Sequence, residues 1–415
     1  QSKVISNIAK NDPKNIVFLI DGEPGIGKTS FVNRLISVIS SETGPVFSTM
    51  SYEAGHDYPY SAWNSLVAKL GSVCSEKNLA EAEGHIPVLS GVFPNFMANT
   101  RLSYNADFMK MAEVTPDVIA QSIIQLILLT SSGKRPVITA EDLQWFDSQS
   151  LHLLEAYLTM DIAPSIVFIT TRPEKREYAL SMLRRLENSG ALRFTDIHLR
   201  PFDEAETSSF CRKFLDTKQL EQRENDYVFK ESEGLPLLVV ELIRALRENA
   251  EMEHIKGGLG ALILARFGEI PESHREFMRI LSVFTNGAEV STIRNIMNID
   301  EDFVGTIAEE LLQKQLIKET ENIDGGISVD FMHSKVRECV YKTIPGFKKR
   351  EYNKKAAEAL GKFYSPHTWN PALSSMICYH YTNADLPQKV MQQHLREMIF
   401  EIILNHDLFP LVGDE

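Results

Sequence analysis

The run Gly22-Glu23-Pro24-Gly25-Ile26-Gly27-Lys28-Thr29 sets glycines, an amine and a hydroxyl at the spacing G-x-x-x-x-G-K-[ST]. Glycines let backbone N–H groups curl around phosphate oxygens, and a helix starting just beyond aims its positive N-terminus at them. In that arrangement Lys28 reaches the β- and γ-phosphates of a nucleotide and the Thr29 hydroxyl takes a position on Mg²⁺, with Ile26 and Ser30 in the same cradle. Such a cradle needs acidic groups at the end of a second strand, to hold the metal ion and polarise water. Val137-Ile138-Thr139-Ala140 runs into Glu141-Asp142 and supplies two carboxylates there.

The surrounding elements must place these groups. Asn15–Asp21 is a continuous apolar run of strand length, the pattern of a strand buried on both faces of a parallel sheet. Thr29–Ser40 carries Phe31, Leu35, Val38 and Ile39 at helical spacing, with Gly44 just beyond. Further strands are predicted at Val46–Ser51, Val137–Ala140, Ile166–Thr171 and Phe194–Leu199. Thr115-Pro116-Asp117 is a helix start, with Thr as N-cap and Pro in the first turn. Leu151, Leu154, Tyr157 and Leu158 mark another helical face. Strand and helix in alternation predict a parallel sheet covered by helices. A short helix is expected over Val4–Lys10 and an irregular insertion over Glu76–Glu113.

Beyond Pro201 the strand pattern stops. Asp203-Glu204-Ala205-Glu206 has capping-box spacing behind Phe202 and opens a small helical region running to about Gly257. From Leu259 helices predominate, but Leu316–Glu319 and Ile327–Phe331 read as strands flanking Asp324-Gly325-Gly326. Helices followed by a hairpin suggest a winged helix. Lys354–Glu415 reads as mostly helical.

At 415 residues the chain is too long for one core, and three or four domains are expected. Hydrophobic residues at 43% and charged residues at 24% exclude a disordered or fibrous chain. The most apolar helix candidate, Val118–Leu129, is interrupted by Gln121, Ser122 and Gln125, so neither a membrane span nor a signal peptide is expected. A net charge of −13 argues against broad nucleic-acid binding. The basic run Lys348-Lys349-Arg350 with Lys354 and Lys355 reads as a solvated helix face. Cys74, Cys211, Cys339 and Cys378 are isolated, which suits a reducing, cytoplasmic setting.

The stretch Glu141-Asp142-Leu143-Gln144-Trp145-Phe146-Asp147-Ser148-Gln149-Ser150-Leu151 is more particular than two carboxylates after a strand. It resembles the signal-transducing STAND branch of the AAA+-like NTPases, in which an apolar run leads into D-D-L-Q-W-x-D-x-x-S-L. Phe168-Ile169-Thr170-Thr171-Arg172-Pro173 is similar to that family's sensor strand, whose arginine reads the γ-phosphate. Gly234-Leu235-Pro236 resembles its G-x-P turn, whose proline packs near adenine. Phe331-Met332-His333-Ser334 resembles its "MHD" motif, whose histidine approaches the β-phosphate of ADP. The resemblance spans nearly all of Ile16–Leu360.

Blander readings stand beside these. Arg172 also reads as a surface arginine, His333 as a partly buried histidine, and Leu143 and Trp145 as core residues. Pro236 equally suits the first turn of a helix carrying Leu237, Val240 and Ile243. Departures from the family pattern are Glu141 in place of the first aspartate, Ser334 in place of the last, and the lack of a Gly-Arg-Glu stretch before the first helix.

The resemblance implies an α/β P-loop NTPase fold, a parallel sheet with a helical lid, followed by a winged helix and an α-helical repeat. The expected bounds are 1–201, 202–258, 259–353 and 354–415, the last opening a TPR-like sensor region. ATP or ADP and Mg²⁺ are the implied cofactors. Gly22, Gly25, Ile26, Gly27, Lys28, Thr29, Ser30, Pro236 and His333 would bind nucleotide. Thr29, Glu141 and Asp142 would hold the metal, and Glu141, Asp142 and Arg172 would serve catalysis. The family is mostly one of bacterial signalling switches, above all transcription activators. An ADP-bound closed monomer, an ATP-bound oligomer, slow hydrolysis and an inducer at the C-terminal helices are expected, with DNA reached only through other domains. Two alternatives stay open: an active AAA+ motor or loader on DNA, and the same switch attached to a nucleotide cyclase, kinase or defence effector.

Overall fold

The computed structural model describes residues 14–41, 43–51, 59–93, 96, 115–160, 164–215, 222–247, 267–285, 287–314, 316–321, 327–332, 334–362 and 371–405. Asn15–Asp21 forms strand β1, whose side chains alternate between two apolar layers: Val17 and Leu19 in one, Ile16, Phe18 and Ile20 in the other. Burial on both faces is why the run is continuously apolar. Next come α1 (Lys28–Ile39), β2 (Val46–Met50), α2 (Asn64–Val73), α3 (Glu76–Glu81), α4 (Ile86–Val92) and α5 (Pro116–Ser131). They are followed by β3 (Val137–Glu141), α6 (Ser148–Thr159), β4 (Ile166–Thr171), α7 (Pro173–Asn188) and β5 (Leu192–His198).

The strands pair in parallel in the order β2-β3-β4-β1-β5. The register sets Asp21 level with Thr171 and Ala140 level with Ile169. The carboxyl ends of β1, β3 and β4 therefore share one edge, the side on which open α/β sheets take ligands. Edge strand β2 is covered by α2, whose Ser65 hydroxyl and Lys69 ammonium donate to the Ser48 and Val46 carbonyls, each at 2.9 Å. Those donors occupy carbonyls that would otherwise invite pairing.

Helix α5 starts as its residues predict, with Thr115 Oγ1 accepting the Val118 N–H and Pro116 in the first turn. The expected irregular insertion is corrected over its first part. Residues 76–92 hold the short helices α3 and α4, and Leu79, Ile86 and Leu89 pack into the main core. Residues 97–114 and the predicted helix at Val4–Lys10 lie outside the described residues.

After Pro201 the capping box forms: the Asp203 N–H donates to Glu206 Oε2 at 2.9 Å and the Glu206 N–H to Asp203 Oδ1 at 2.8 Å. It opens α8 (Glu204–Leu215), followed by α9 (Gln222–Ser232) and α10 (Pro236–Arg247), around a small core of Cys211, Val228, Val239, Leu242 and Ile243. Helices α11 (Glu272–Val283), α12 (Val290–Met297) and α13 (Glu301–Gln313) then lead into the antiparallel hairpin β6 (Ile317–Glu321) and β7 (Ile327–Phe331). Helices α14 (Ser334–Thr343) and α15 (Gly346–Gly361) follow, and one apolar cluster joins all of these, as in a winged helix. Gly287 has φ +74° where a Cβ would lie 2.5 Å from the Val329 carbonyl oxygen, so glycine is required there.

Helices α16 (Pro371–Asn383) and α17 (Pro387–Asn405) extend the helical part. The buried His380 ties α16 back, its Nδ1 donating to Asn353 Oδ1 at 2.8 Å and its ring meeting Phe284 edge-on. The basic run lies on α15, with Lys349 over the Tyr341 ring. Among the described residues no helix is long and apolar enough to cross a membrane. The four cysteines are free thiols.

Candidate nucleotide site

The loop between β1 and α1 is shaped by its glycines. Gly22 is pressed between Ile26 and Leu199, where a Cβ would fall 2.9 Å from each. Gly25 and Gly27 have φ of +86° and +94°, the left-handed region that glycine enters without cost. A Cβ on Gly27 would meet nothing, so the concave side of the loop is open at the start of α1. Lys28 Nζ donates to the carbonyls of Gly22 at 2.7 Å and Glu23 at 3.2 Å, which draws the ammonium across the mouth of the loop. Burial lowers the Lys28 pKa, an effect opposed by Asp142, reinforced by Arg172, and opposed again by Asp21 and Glu174. Groups from the ends of β1, β3 and β4 thus share one electrostatic neighbourhood.

The Thr29 hydroxyl donates to Glu141 Oε2 at 3.1 Å across 112 residues of chain. A hydroxyl and a carboxylate side by side at the loop are the kind of oxygen donors that would hold a phosphate-bound Mg²⁺. Among the described residues no group of three or more His, Cys, Asp or Glu side chains could hold a metal ion by itself. The donor set therefore fits a phosphate-bound Mg²⁺. Burial raises the Glu141 pKa; the Thr29 bond opposes this, Asp142 adds to it, and Lys318 of β6 opposes it.

Asp142 takes the left-handed conformation at φ 55°, ψ 52°. Its N–H donates to Thr170 Oγ1 at 3.0 Å, and its Oδ1 accepts from Gln144 Nε2 at 2.8 Å. The Gln144 Oε1 accepts the Arg172 N–H at 3.2 Å, and the Arg172 guanidinium lies over the Trp145 ring, 5.5 Å from its centre. Leu143 is buried as expected, whereas Trp145 is half-buried and supports Arg172 rather than filling the core.

The lid reaches the same loop. Pro236 is the first residue of α10, and the next N–H, from Leu237, donates to the Gly25 carbonyl at 3.2 Å. Gly234 has φ +74° and lies so near Phe202 that a Cβ would stand 1.9 Å from its carbonyl oxygen. Ile26 is buried beneath the loop and Ser30 is exposed in the first turn of α1. His333 lies outside the described residues.

Two acids near the site have long-range partners that the sequence does not announce. Asp21 is fully buried and meets Arg176 Nε at 2.9 Å and His198 Nδ1 at 2.7 Å. Asp147 is an acceptor for Tyr60 and Ser61 as well as the N-cap of α6. An acid ending a fully apolar strand, as Asp21 does, is the one signal that called for a partner.

Residues 4–169 match the family described as AAA ATPase domain. No curated protein matches the chain. Among solved structures, the chain is similar to a Signal Transduction ATPase with Numerous Domains (STAND) protein with a tetratricopeptide repeat sensor from Pyrococcus horikoshii. That likeness has 19% identity and a TM-score of 0.55 and covers 99% of this chain and 51% of the other, so the chain spans about half the length of that relative. Weaker likenesses are to the Aeropyrum pernix ORC2 protein (14% identity, TM-score 0.36, 82% and 92% coverage) and Thermotoga maritima RuvB (13%, 0.32, 83% and 92%). The chain therefore carries an AAA ATPase domain over residues 4–169 and shares its fold with a STAND protein.

Proposed function

We propose that this chain is the nucleotide-operated core of a larger signalling protein, built from the segments 1–201, 202–258, 259–353 and 354–415, and that its output is transcription activation. The observation that carries the reading is the Thr29–Glu141 hydrogen bond, which sets a metal-ligand pair beside Lys28, Asp142 and Arg172 at one strand edge. Bound ATP would supply the phosphoanhydride and Mg²⁺ the charge that offsets it. The backbone from Gly22 to Ser30 holds the phosphates, Lys28 neutralises them, Thr29 and Glu141 take the metal, and Asp142 orients water. Arg172 reads the terminal phosphate, and Pro236 approaches the base from the lid.

Two features support a switch rather than a motor. The lid is hydrogen-bonded directly to the loop through Leu237 and Gly25, so a change in the loop is felt by the lid at once. Lys318, on the wing of the third segment, is the smallest of the influences on Glu141 and is consistent with a winged segment near the nucleotide site. His333, two residues beyond β7, is assigned to the β-phosphate of ADP. A closed ADP-bound monomer and an open, self-associating ATP form follow, because a ligand shifts a conformational equilibrium only by differential affinity. Helices α16 and α17 would open a TPR-like sensor array that receives an inducer.

The test is calorimetry and light scattering on the parent and on His333→Ala with ADP and ATP. The expected outcome is weaker ADP binding in the variant, little change for ATP, and self-association. Equal losses for both nucleotides, with no change in size, would remove the clamp.

A further inference from the structure

A non-glycine residue at positive φ is uncommon and persists only where its surroundings over-determine it. Asp142 is such a residue, held at three points. Its N–H donates to Thr170 Oγ1 at 3.0 Å, its carbonyl accepts the Trp145 N–H at 2.9 Å, and its carboxylate accepts from Gln144 at 2.8 Å. The first bond crosses to β4, the second closes the turn, and the third opens a route outward.

That route is the Gln144 amide. Its nitrogen donates to Asp142 while its oxygen accepts the N–H of Arg172, 28 residues further on. One side chain therefore spans from the tip of β3 to the tip of β4. Trp145, next in the chain, lies under the Arg172 guanidinium at 5.5 Å, within the range of a cation–π contact. Gln144 thus holds the backbone of Arg172 and Trp145 its head. Four residues on, Arg176 pins the start of α7 to the buried Asp21 at 2.9 Å, so Arg172 sits at the end of an element fixed from a second side.

The chemistry explains the residue type. A bridge between a carboxylate and an N–H needs a donor at one end and an acceptor at the other, and a primary amide has both. Glutamate keeps the acceptor and loses the donor, and leucine loses both. A merely structural turn would need only the local Trp145-to-Asp142 bond, which leaves the long-range bond to Arg172 without a reason.

We propose that Gln144 and Trp145 are positioning residues for the phosphate-reading end of the site. Gln144 couples the Asp142 carboxylate to the Arg172 backbone, and Trp145 aims the Arg172 guanidinium. This rests on the reading of Arg172 given above and extends it to the groups that make the arginine an effective reader.

The experiment measures affinity for AMP-PNP and for ADP, each with Mg²⁺, by calorimetry on the full chain. Arg172→Ala and Gln144→Leu should both lower the AMP-PNP-to-ADP affinity ratio by about tenfold, the scale of one charge-assisted contact. The double variant should lose no more than Arg172→Ala alone, because the two act as one unit. Gln144→Glu should keep the ratio, since its acceptor for the Arg172 N–H remains, but its kcat for ATP should fall with KM unchanged. Trp145→Phe should keep the ratio and Trp145→Ala should lose it. Should Gln144→Leu fail to fold, the near-isosteric Gln144→Glu still tests the bridge through its kcat. A parental ratio in Gln144→Leu, where Arg172→Ala has lost it, overturns the role of Gln144. A parental ratio in Trp145→Ala overturns that of Trp145, and an unchanged kcat in Gln144→Glu removes the coupling to Asp142. A parental ratio in Arg172→Ala itself instead overturns the reading of the arginine.

Discussion

Replacing Asp147 by alanine would strip the acceptor from a junction that holds two distant segments together. The buried carboxylate accepts the Ser150 N–H at 2.7 Å and the Ser150 hydroxyl at 2.5 Å, capping α6. It also accepts the Tyr60 N–H at 3.1 Å and the Ser61 hydroxyl at 3.3 Å, so it anchors the chain leading into α2. Loss of an N-cap alone costs about 0.5–2 kcal/mol. Each hydrogen bond to a charged group adds about 1.5–3 kcal/mol, though the terms overlap because the hydroxyls can turn to other acceptors. The Tyr60 N–H, part-buried, would be left without this partner. A total near 3–5 kcal/mol is expected, on the order of 6–20 °C in melting temperature for a cooperative unit of this size. Asp147→Asn, which keeps the shape but turns an NH₂ toward donors, should fall between parent and alanine. Thermal melting followed by circular dichroism reads this directly. An alanine variant melting within about 2 °C of the parent would refute the junction.

Two further outcomes follow from packing and burial. Gly234→Ala should unseat the lid, because its Cβ would overlap the Phe202 carbonyl at a backbone angle alanine resists; limited proteolysis should then cleave residues 202–247 faster than in the parent, and equal protection would contradict it. Burial pushes the His380 pKa down from 6.5 to about 3, so between those values the unfolded chain binds a proton that the folded chain does not. Stability from this group is complete above pH 6.5 and declines as pH falls toward 3, with a slope of up to about 1.4 kcal/mol per pH unit. Urea titrations at pH 5 and pH 7 should show a smaller pH dependence in His380→Gln than in the parent, and identical slopes would contradict the assignment.

What could be read from the residues alone depended on how local the cause was. β1 and β4 were predicted to the residue, because a strand buried on both faces is apolar throughout. The predicted start of β5, Phe194, lies two residues after the observed Leu192: β5 is an edge strand, and its exposed Arg193, Thr195 and Asp196 dilute the pattern. Helices α3 and α4 leave no clear pattern in the sequence because each is under two turns long, with Gly84 and Pro87 near their ends. The loop glycines, Lys28 and Thr29 are legible as candidates because cradle chemistry requires them in sequence. The pairing of Gln144 with Arg172, and of Asp21 with Arg176 and His198, was not, since those partners meet only through the strand order of the sheet.

In the proposed function Gly22–Ser30 binds a nucleoside triphosphate through its backbone and Lys28. Calorimetry of Mg²⁺–ATP binding to the parent and to Lys28→Ala puts this to the test. Removing one charge-assisted contact, worth about 1.5–3 kcal/mol, should weaken binding by about ten- to more than a hundredfold. A Lys28→Ala variant that is folded and binds ATP as tightly as the parent would show that Lys28 does not hold the phosphates.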